Sequence, residues 1–365
     1  TNRQAPVRFE KAVTQIRSNA HGRQWLVGAL CTALLACGGG GGGGSVSPGS
    51  GAPITFDLAS VQDALDRAIA NDLDGIWVFV DDGINAPEFL AAGIQDRTTL
   101  APADVSNLFK IASISKMFIA VTGAKMAAAG TLNLDDTLAH WLPDLATRIE
   151  NADQITVRHL LRHRSGVPDF DSAPGFSWND PHTDIDATLE LALDSPADFA
   201  PNARFGYSNT NYLLLGRIFD TALGYHHHQF IQDEILSPLG MMNTYSLLGD
   251  ADVTQLAHGY WNGVDRIDQD YVVPGGSMVS TAQEVGIFLR ALATGTLLTP
   301  DERQVYQLLF AGFGHSGWLP GYQSNAQYFS DMDTVLVQFV NVTGRGTETV
   351  AQEVYDSLVD YLRRR

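Results

Sequence analysis

The sequence has 365 residues, of which 45% are hydrophobic and 18% are charged, and its formal net charge is −18. This composition excludes a fibrous or disordered chain and allows a substantial core to be buried. The negative charge argues against a nucleic-acid partner, because the phosphate backbone would repel it, whereas small apolar or amphiphilic substrates stay possible.

The N-terminal segment differs from the rest of the chain in charge and pattern. Residues 1–37 contain five Lys/Arg and one acidic residue, and residues 25–36 form an apolar run. That run is too short to cross a bilayer but has the length of the hydrophobic region of a secretory signal. The sequence Leu-Leu-Ala-Cys before seven glycines resembles a bacterial lipoprotein signal with Cys37 as the lipidated residue. We therefore expect a signal over residues 1–37 and a periplasmic or otherwise extracytoplasmic protein that touches the membrane only through its lipid anchor.

The remaining residues predict a linker followed by one domain. The Gly, Ser and Pro content of residues 38–55 is typical of a flexible linker, so the folded domain is expected over residues 56–365. The domain begins with a helix, because apolar residues recur at helical spacing over residues 58–69. A strand-like run over residues 76–80 follows it.

The C-terminal part also combines strands with a helix. Residues 327–329 and 334–340 predict a hairpin, and a closing amphipathic helix is expected from about Thr347. Helical patterns occupy the middle of the chain at residues 117–129, 213–222, 229–236 and 281–292. We therefore predict an α/β (α+β) fold: an antiparallel sheet built from the N- and C-terminal segments, flanked by helices, with a mostly helical region inserted between them.

The sharpest chemical signal is Ser113-Ile114-Ser115-Lys116, at the start of an apolar helical run. Residues three apart share one face of a helix, so the hydroxyl of Ser113 and the amine of Lys116 can meet. A serine hydroxyl becomes a good nucleophile when a neighbouring group takes its proton, and a lysine can do so when burial or nearby cations lower its pKa. The chain has only four lysines, and no other lysine has a serine three residues before it. This scarcity favours a catalytic pair over a capping serine followed by a surface lysine.

Two further motifs complete a pattern. Tyr207-Ser208-Asn209 precedes an apolar helical run, and His315-Ser316-Gly317-Trp318 contains the only H-x-G in the sequence. Tyr260-Trp261-Asn262 is a competing match to the bare Y-x-N pattern. Together the motifs resemble the serine β-lactamase and penicillin-binding protein family, of the class C β-lactamase-like type, whose signatures S-x-x-K, Y-x-N and K-T-G or H-x-G occur in this order. The stretch around Tyr207 resembles that family and the stretch around Tyr260 does not.

The resemblance implies a role for each motif. Ser113 would form an acyl-enzyme, while Lys116 and Tyr207 would share proton transfer, and the sequence does not decide which of the two is the general base. Asn209 would hold the substrate amide and the lysine in place.

The third motif would supply substrate-binding groups. The Trp318 amide would form an oxyanion hole with the Ser113 amide, and Gly317 would allow the substrate backbone to approach closely. His315 and Ser316 lie on the same predicted strand and are expected to contact the substrate.

His315 is the main departure from the class C β-lactamases, which have lysine at this position. An unperturbed histidine is mostly neutral at pH 7, so attraction of a substrate carboxylate would be weaker or would depend on pH. The histidine form resembles the D-alanyl-D-alanine carboxypeptidase and esterase branch. We therefore expect hydrolysis of D-Ala-D-Ala-type peptides or small esters first and of β-lactams second. A lipoprotein that binds penicillin or peptidoglycan without turnover is the alternative from another class.

No metal or other cofactor is expected. His226-His227-His228 is a run of adjacent histidines, which cannot all face one ion from a regular element, and nothing nearby has ligand spacing. His159 and His163 lie four residues apart on a predicted helix without an H-E-x-x-H motif, so we expect them to cap the helix or line a surface.

Overall fold

A computed structural model describes residues 56–310 and 312–365. The predicted signal, the predicted lipidation at Cys37 and the predicted linker fall in residues 1–55 and lie outside the described residues. Within the described ranges, no helix combines the length and the apolar character that are needed to span a bilayer.

The predicted sheet from both ends of the domain is present. In chain order the strands of the described residues are β1 (Gly75–Asp81), β2 (Glu88–Gly93), β3 (Phe109–Lys110), β4 (Tyr260–Trp261), β5 (Val264–Asp265), β6 (Val279–Ser280), β7 (Gly314–Leu319), β8 (Tyr322–Phe329), β9 (Thr334–Val340) and β10 (Val342–Thr343). The main antiparallel sheet has the order β2-β1-β9-β8-β7. Its N-terminal hairpin therefore pairs directly with the C-terminal strands, and β7 lies at one edge.

The inserted region is mostly helical, as predicted. The helices are α1 (Val61–Ala70), α2 (Ser115–Ala128), α3 (Leu138–Trp141), α4 (Val157–Leu161), α5 (Ile185–Glu190), α6 (Thr210–Leu223), α7 (His227–Ile231), α8 (Ser237–Leu239), α9 (Ala282–Thr294), α10 (Pro300–Leu309) and α11 (Thr347–Arg364). A π-helical turn, Gln232–Leu236, joins α7 to α8. Short 3-10 turns occur at Ala112–Ile114, Phe170–Ser172, Leu248–Asp250 and Val253–Gln255.

The first helix shows how local sequence sets an element boundary. Ser60 caps α1 by accepting a hydrogen bond from the Asp63 amide at 3.1 Å, and Asp63 accepts one from the Ala59 amide at 3.1 Å. These reciprocal bonds satisfy amides that have no partner inside the helix. The apolar face of α1 then packs with α11 against one face of the sheet.

The opposite face of the sheet covers the larger core, which includes the inserted helices. Helix α2 is buried on nearly all sides, and its Phe118 stacks on Phe288 of α9 with ring centroids 3.9 Å apart. A helix that is apolar all round belongs in the centre of a large domain. The start of α2 contacts β7 through the 3-10 turn Ala112–Ile114, and this contact positions the candidate site.

Candidate active site

The 3-10 turn before α2 presents Ser113. Ala112 has a φ of +52°, a left-handed conformation that residues with a β-carbon rarely adopt. Gly317 of β7 packs against this turn: a β-carbon at position 317 would lie 2.5 Å from the Ile111 carbonyl oxygen and 2.9 Å from the Ala112 β-carbon. The close approach requires glycine at 317, and it brings the edge strand next to the half-buried serine.

Two side chains from distant segments reach the Ser113 hydroxyl. The Nζ atom of Lys116 lies 2.9 Å from Ser113 Oγ, and the hydroxyl of Tyr207 lies 2.9 Å from the same oxygen. The first contact follows from helical spacing, whereas the second joins residues separated by 94 positions. The structure therefore brings the predicted hydroxyl, amine and phenol together at one point.

Lys116 is held by a set of oxygen acceptors and is only 1% exposed. Besides Ser113, its Nζ donates to Asn209 Oδ1 at 2.8 Å and to the Gly275 carbonyl at 2.9 Å. Three acceptors match the three N–H groups of an ammonium. A neutral amine has two N–H groups, so it can keep Asn209 and Gly275 and direct its lone pair at the serine. This arrangement suits a group that takes a proton and then returns it.

Gly275 allows the lysine to pack this closely. Its φ is +112°, and a β-carbon there would lie 3.0 Å from Lys116 Cγ and 2.8 Å from Tyr212 Cδ1. A residue with a side chain would be strained in this conformation and would also push the lysine aside. The carbonyl that holds Lys116 therefore depends on glycine at this position.

Asn209 is oriented by two carboxylates that the sequence analysis did not identify. Its Nδ2 donates to Asp169 Oδ2 and to Asp171 Oδ2, each at 3.2 Å, so that Oδ1 faces Lys116. Burial, together with the nearby Asp171 charge, raises the pKa of Asp169 to about 7, and burial also raises the pKa of Asp171. Both residues lie in or next to the 3-10 turn Phe170–Ser172. Because they are far from Asn209 in the sequence, no local pattern indicates that they orient it.

The raised pKa of Asp169 predicts a pH-dependent stability difference. An ordinary aspartate loses its proton near pH 4, whereas Asp169 in the folded protein keeps it to about pH 7. The unfolded chain thus binds fewer protons in this window, and Asp169 makes the free energy of unfolding fall as pH rises from about 4 to about 7. Asp169→Asn lacks this contribution. The free energy of unfolding of the variant minus that of the wild type should therefore be more positive at pH 8 than at pH 4. Urea unfolding of both proteins at the two pH values measures the difference, and an unchanged difference would contradict the burial of this acid.

His163 packs against Tyr207 and the residue that follows it. Its ring stacks on that of Tyr207 with centroids 4.3 Å apart and an interplanar angle of 21°, and its Nδ1 accepts a hydrogen bond from the Ser208 amide at 3.2 Å. Burial and the charge of Lys116 hold its pKa well below the usual value, so the ring is neutral at pH 7. The prediction that His163 caps a helix or lines a surface was wrong, because α4 ends before it and its side chain is buried against Tyr207.

His159 behaves as predicted. Its Nδ1 accepts a hydrogen bond from the Thr156 amide at 3.2 Å, and the Thr156 hydroxyl accepts from the His159 amide, which forms a capping box at the start of α4. The two histidines of the same predicted helix therefore do different things. The difference arises because the helix ends between them.

The strand β7 places His315 at the side of the cleft. Its half-buried ring lies 6.4 Å from the Tyr207 ring, and its Nδ1 contacts the carbonyl of the exposed Ser316. Burial and the charge of Lys116 lower the pKa of His315 to about 4. The imidazole is therefore neutral over the physiological range and offers a substrate no positive charge.

Trp318 lies two residues beyond Ser316 on the same edge strand. In an antiparallel pair, alternate peptide N–H groups of an edge strand point away from its neighbour, toward the open edge of the sheet. The indole Nε1 donates to Glu348 Oε1 at 3.2 Å, which fixes the side chain. The role of the Trp318 amide as the second oxyanion donor stays a prediction.

An aromatic wall, which the sequence analysis did not foresee, extends from Trp318. The Trp178 and Trp318 rings have centroids 5.5 Å apart, and Trp261 lies 6.3 Å from Trp318 on another side. Phe176 and Tyr271 pack edge-on against Trp178, and the Tyr271 hydroxyl donates to the Trp178 carbonyl at 2.9 Å. These rings are half-buried, except for the buried Tyr271, so part of their apolar surface stays accessible.

The competing Y-x-N motif has other contacts. Tyr260 lies on β4, where its hydroxyl accepts from the Arg97 amide at 2.8 Å and donates to Asp96 at 3.3 Å. Its hydroxyl therefore links strand β4 to the loop that contains Asp96 and Arg97, whereas that of Tyr207 contacts Ser113 Oγ. The structure agrees with the choice of Tyr207 over Tyr260.

Comparison with known proteins identifies the family. The sequence model of the family described as Beta-lactamase matches residues 78–360. This chain belongs to the beta-lactamase family. The resemblance inferred from the three motifs is thereby confirmed.

Relatives of this beta-lactamase family member include penicillin-binding proteins and an esterase. The chain is 30% identical over 188 residues to "Penicillin-binding protein 4*" of Bacillus subtilis (strain 168), and the matched region covers 50% of this chain and 40% of that protein. It is 28% identical over 165 residues to "Esterase EstB" of Burkholderia gladioli, which covers 41% of each chain. The matched region thus spans less than half the length of these curated relatives.

Solved structures of the beta-lactamase fold confirm the predicted fold class. D-amino acid amidase from Ochrobactrum anthropi SV3, complexed with L-phenylalanine, superposes with a TM-score of 0.73 at 24% identity, covering 83% of this chain and 98% of that one. The penicillin binding protein from Bacillus halodurans has a TM-score of 0.70 at 20% identity, covering 83% of this chain and 100% of that one. At these identities the likeness concerns the fold.

Proposed function

We propose that this protein is a serine hydrolase that works by acyl transfer through Ser113. One observation carries the proposal: Ser113 Oγ lies 2.9 Å from both Lys116 Nζ and the Tyr207 hydroxyl. This is the spacing at which a positioned base takes the proton of a nucleophile. Membership of the beta-lactamase family supports the same chemistry.

The proposed reaction has two halves. Ser113 Oγ attacks the substrate carbonyl carbon while its proton passes to Lys116 or Tyr207, and the amides of Ser113 and Trp318 stabilise the oxyanion. The proton is then donated to the departing amine or alcohol, which leaves an ester on Ser113. In the second half, water gives a proton to the same pair of side chains while its oxygen bonds to the ester carbonyl carbon. The bond between that carbon and Ser113 Oγ then breaks, the proton passes to Oγ, and the product acid leaves the restored serine. Asn209 keeps the lysine aimed at the reacting oxygen throughout.

The substrate class follows from the walls of the cleft. The neutral His315 gives little attraction for a substrate carboxylate, whereas the aromatic wall around Trp178 and Trp318 favours an apolar group. We infer that small esters and D-Ala-D-Ala-type peptides or D-amino acid amides are preferred over β-lactams. The names of the relatives, which include penicillin-binding proteins, an esterase and a D-amino acid amidase, support this order.

A substrate panel tests the proposal. Purified protein is assayed with p-nitrophenyl esters of increasing acyl size, D-phenylalanine amide, a D-Ala-D-Ala peptide and nitrocefin. We expect the highest kcat/KM for an ester or amide with an apolar acyl group and the lowest for nitrocefin. Stable labelling by a fluorescent penicillin without turnover of any substrate would instead support the penicillin-binding alternative. If the protein is not labelled and turns over no substrate, acyl transfer is refuted.

The neutrality of His315 gives a second prediction. In His315→Lys a cation replaces the neutral ring, so the KM of a D-Ala-D-Ala peptide with a free carboxylate should fall about tenfold, because a charge-assisted hydrogen bond becomes available. The KM of a neutral p-nitrophenyl ester is the internal control and should stay unchanged. In the wild type the pKa of about 4 means that His315 imposes no pH dependence on peptide binding between pH 6 and 8. Equal KM changes for both substrates would contradict this account.

We further propose that the protein acts outside the cytoplasm, attached to the bacterial envelope by a lipid on Cys37. The basis is the apolar run at residues 25–36 followed by Leu-Leu-Ala-Cys and the glycine tract. Such a location would expose the site to peptidoglycan-type peptides. Mass spectrometry of the membrane fraction from expressing cells should find a lipidated Cys37, and recovery of unmodified Cys37 peptide would refute the anchor.

A further inference from the structure

A cluster of histidines lies outside the cleft at the start of α7. One ring nitrogen from each of His226, His227 and His228 lies within 4.8 Å of those of the other two, and the ring centroids are 4.2 to 4.8 Å apart. We propose that these three imidazoles bind one divalent transition metal ion. Imidazole nitrogens suit Zn²⁺, Ni²⁺ and Cu²⁺, which are the ions this site would take.

The backbone explains why adjacent residues converge. In a regular element, successive side chains point in different directions, so a run of three histidines predicts no shared ion. His226 instead has extended backbone angles (φ −68°, ψ 130°) and lies before the helix, whereas His227 is the first helical residue. The change of backbone conformation between them turns the His226 ring back over the first turn, where its Nδ1 lies 3.4 Å from the His228 amide nitrogen.

Asp220 prepares one of the ligands. Its Oδ1 lies 2.7 Å from His227 Nδ1 and also accepts a hydrogen bond from the His227 amide at 2.6 Å. A carboxylate that binds one ring nitrogen places the proton there and leaves the other nitrogen as a lone-pair donor, which is the usual arrangement behind metal-ligating histidines.

The other nitrogen of that ring has no partner in the protein. His227 is 1% exposed, and its Nε2 is buried without a hydrogen-bond partner among the described residues. Most buried polar atoms are hydrogen-bonded, because an unsatisfied one costs roughly 1–3 kcal/mol. We assign this unsatisfied nitrogen as the His227 ligand to the ion, and it is the second observation, besides the clustering, on which the proposal rests.

The other two ligands can adjust to an ion. The side chain of His226 is 52% exposed and that of His228 is half-buried, so an ion can enter from solvent and both rings can rotate. Tetrahedral binding with metal–nitrogen distances of roughly 2.0–2.1 Å requires the nitrogens to approach one another to about 3.4 Å. Small rotations of the two accessible rings toward the fixed His227 supply this movement, and water completes the coordination.

The proposed site is separate from the acyl-transfer groups but adjoins them. A β-carbon at Gly216 would lie 3.2 Å from His227 Cε1 and 2.7 Å from Pro274 Cγ, so His227 and Pro274 both pack on this glycine. Pro274 precedes Gly275, whose carbonyl holds Lys116. Activity is therefore a poor primary readout, since a change in rate could arise in either site, and metal binding is measured directly.

The test uses purified protein without a polyhistidine tag, titrated with ZnCl₂ in competition with a chromogenic chelator. We expect about one equivalent bound per chain in the wild type and loss of this binding in the double variant His226→Ala/His228→Ala, which leaves the buried His227 in place. Asp220→Asn should weaken binding about tenfold or more. His140→Ala is the matched control, because His140 is an exposed histidine 3.8 Å from a carboxylate of Asp136, and its loss should not change binding.

Thermal unfolding provides a second measurement that does not depend on the chelator. Zn²⁺ should raise the unfolding temperature of the wild type and of His140→Ala, because an ion that binds only the folded state stabilises it, and it should not raise that of the double variant. Both variants should melt cooperatively without metal, which shows that they fold. Undiminished binding by the double variant, or binding of far less than one equivalent by the wild type, would overturn the proposal whether or not the protein is a hydrolase.

Discussion

Replacing Ser113 by alanine is expected to lower kcat on the preferred substrate by about 10⁴-fold or more, because the variant has no oxygen to form the acyl-enzyme. Residual turnover would come from the oxyanion groups and from substrate binding alone. Mass spectrometry of the wild type incubated with a slow substrate or a fluorophosphonate should show one covalent adduct on the peptide containing Ser113. The variant should show none.

The matched control is Ser237→Ala, which removes an exposed serine hydroxyl at the start of α8. Its kcat and labelling should equal those of the wild type. Persistent labelling of Ser113→Ala would place the nucleophile elsewhere. Loss of activity in both variants, together with loss of cooperative unfolding, would point to misfolding rather than to chemistry.

Lys116→Met is expected to lower the rate of acylation by about 10³-fold, in the range typical of losing a positioned acid–base group. Methionine has nearly the length of lysine, so it fills the buried space but can neither take the serine proton nor bind Asn209 and Gly275. Single-turnover measurements of the acylation step with an activated ester separate this effect from product release. Urea unfolding of the variant separates it from a change in stability.

Lys125→Met is the matched control on the same helix. Lys125 lies 3.9 Å from Glu234 and 3.7 Å from Glu302 and has no contact with the serine, so its replacement should leave acylation unchanged. Tyr207→Phe then completes the comparison, since it keeps the ring that stacks on His163 but removes the hydroxyl at 2.9 Å from Ser113 Oγ. Acylation by Lys116→Met within about tenfold of the wild type would contradict a role for the lysine in the proton transfer.

Local sequence determined much of the framework of this protein. The helix predicted from Thr347 and the strand predicted over residues 334–340 begin there in the structure, because the periodicity of apolar residues acts over short stretches of chain. The contact between Ser113 and Lys116 was also predictable from local sequence, since three-residue spacing on a helical turn brings the two side chains to the same side.

The order of the three motifs also placed Tyr207 and His315 in the predicted site, although no periodicity of the sequence connects them to Ser113. Their presence in one cleft was inferable only from the resemblance to the family. The packing of Gly317 on the 3-10 turn Ala112–Ile114 is what brings the third motif next to Ser113. From the sequence, the charge of His315 could be stated only for an unperturbed ring. Its burial and its nearness to Lys116, which lower its pKa to about 4, exist only in the folded protein.

Tertiary structure alone decided the groups around the reacting atoms. Asp169 and Asp171 orient Asn209, and His163 stacks on Tyr207, through contacts between residues about 40 positions apart that leave no local pattern. The histidines at residues 226–228 converge because the backbone changes conformation between the first and the second of them, which a pattern for a regular element cannot express. Sequence determines which groups are available at short range, whereas packing determines which distant groups share a site and with what charge.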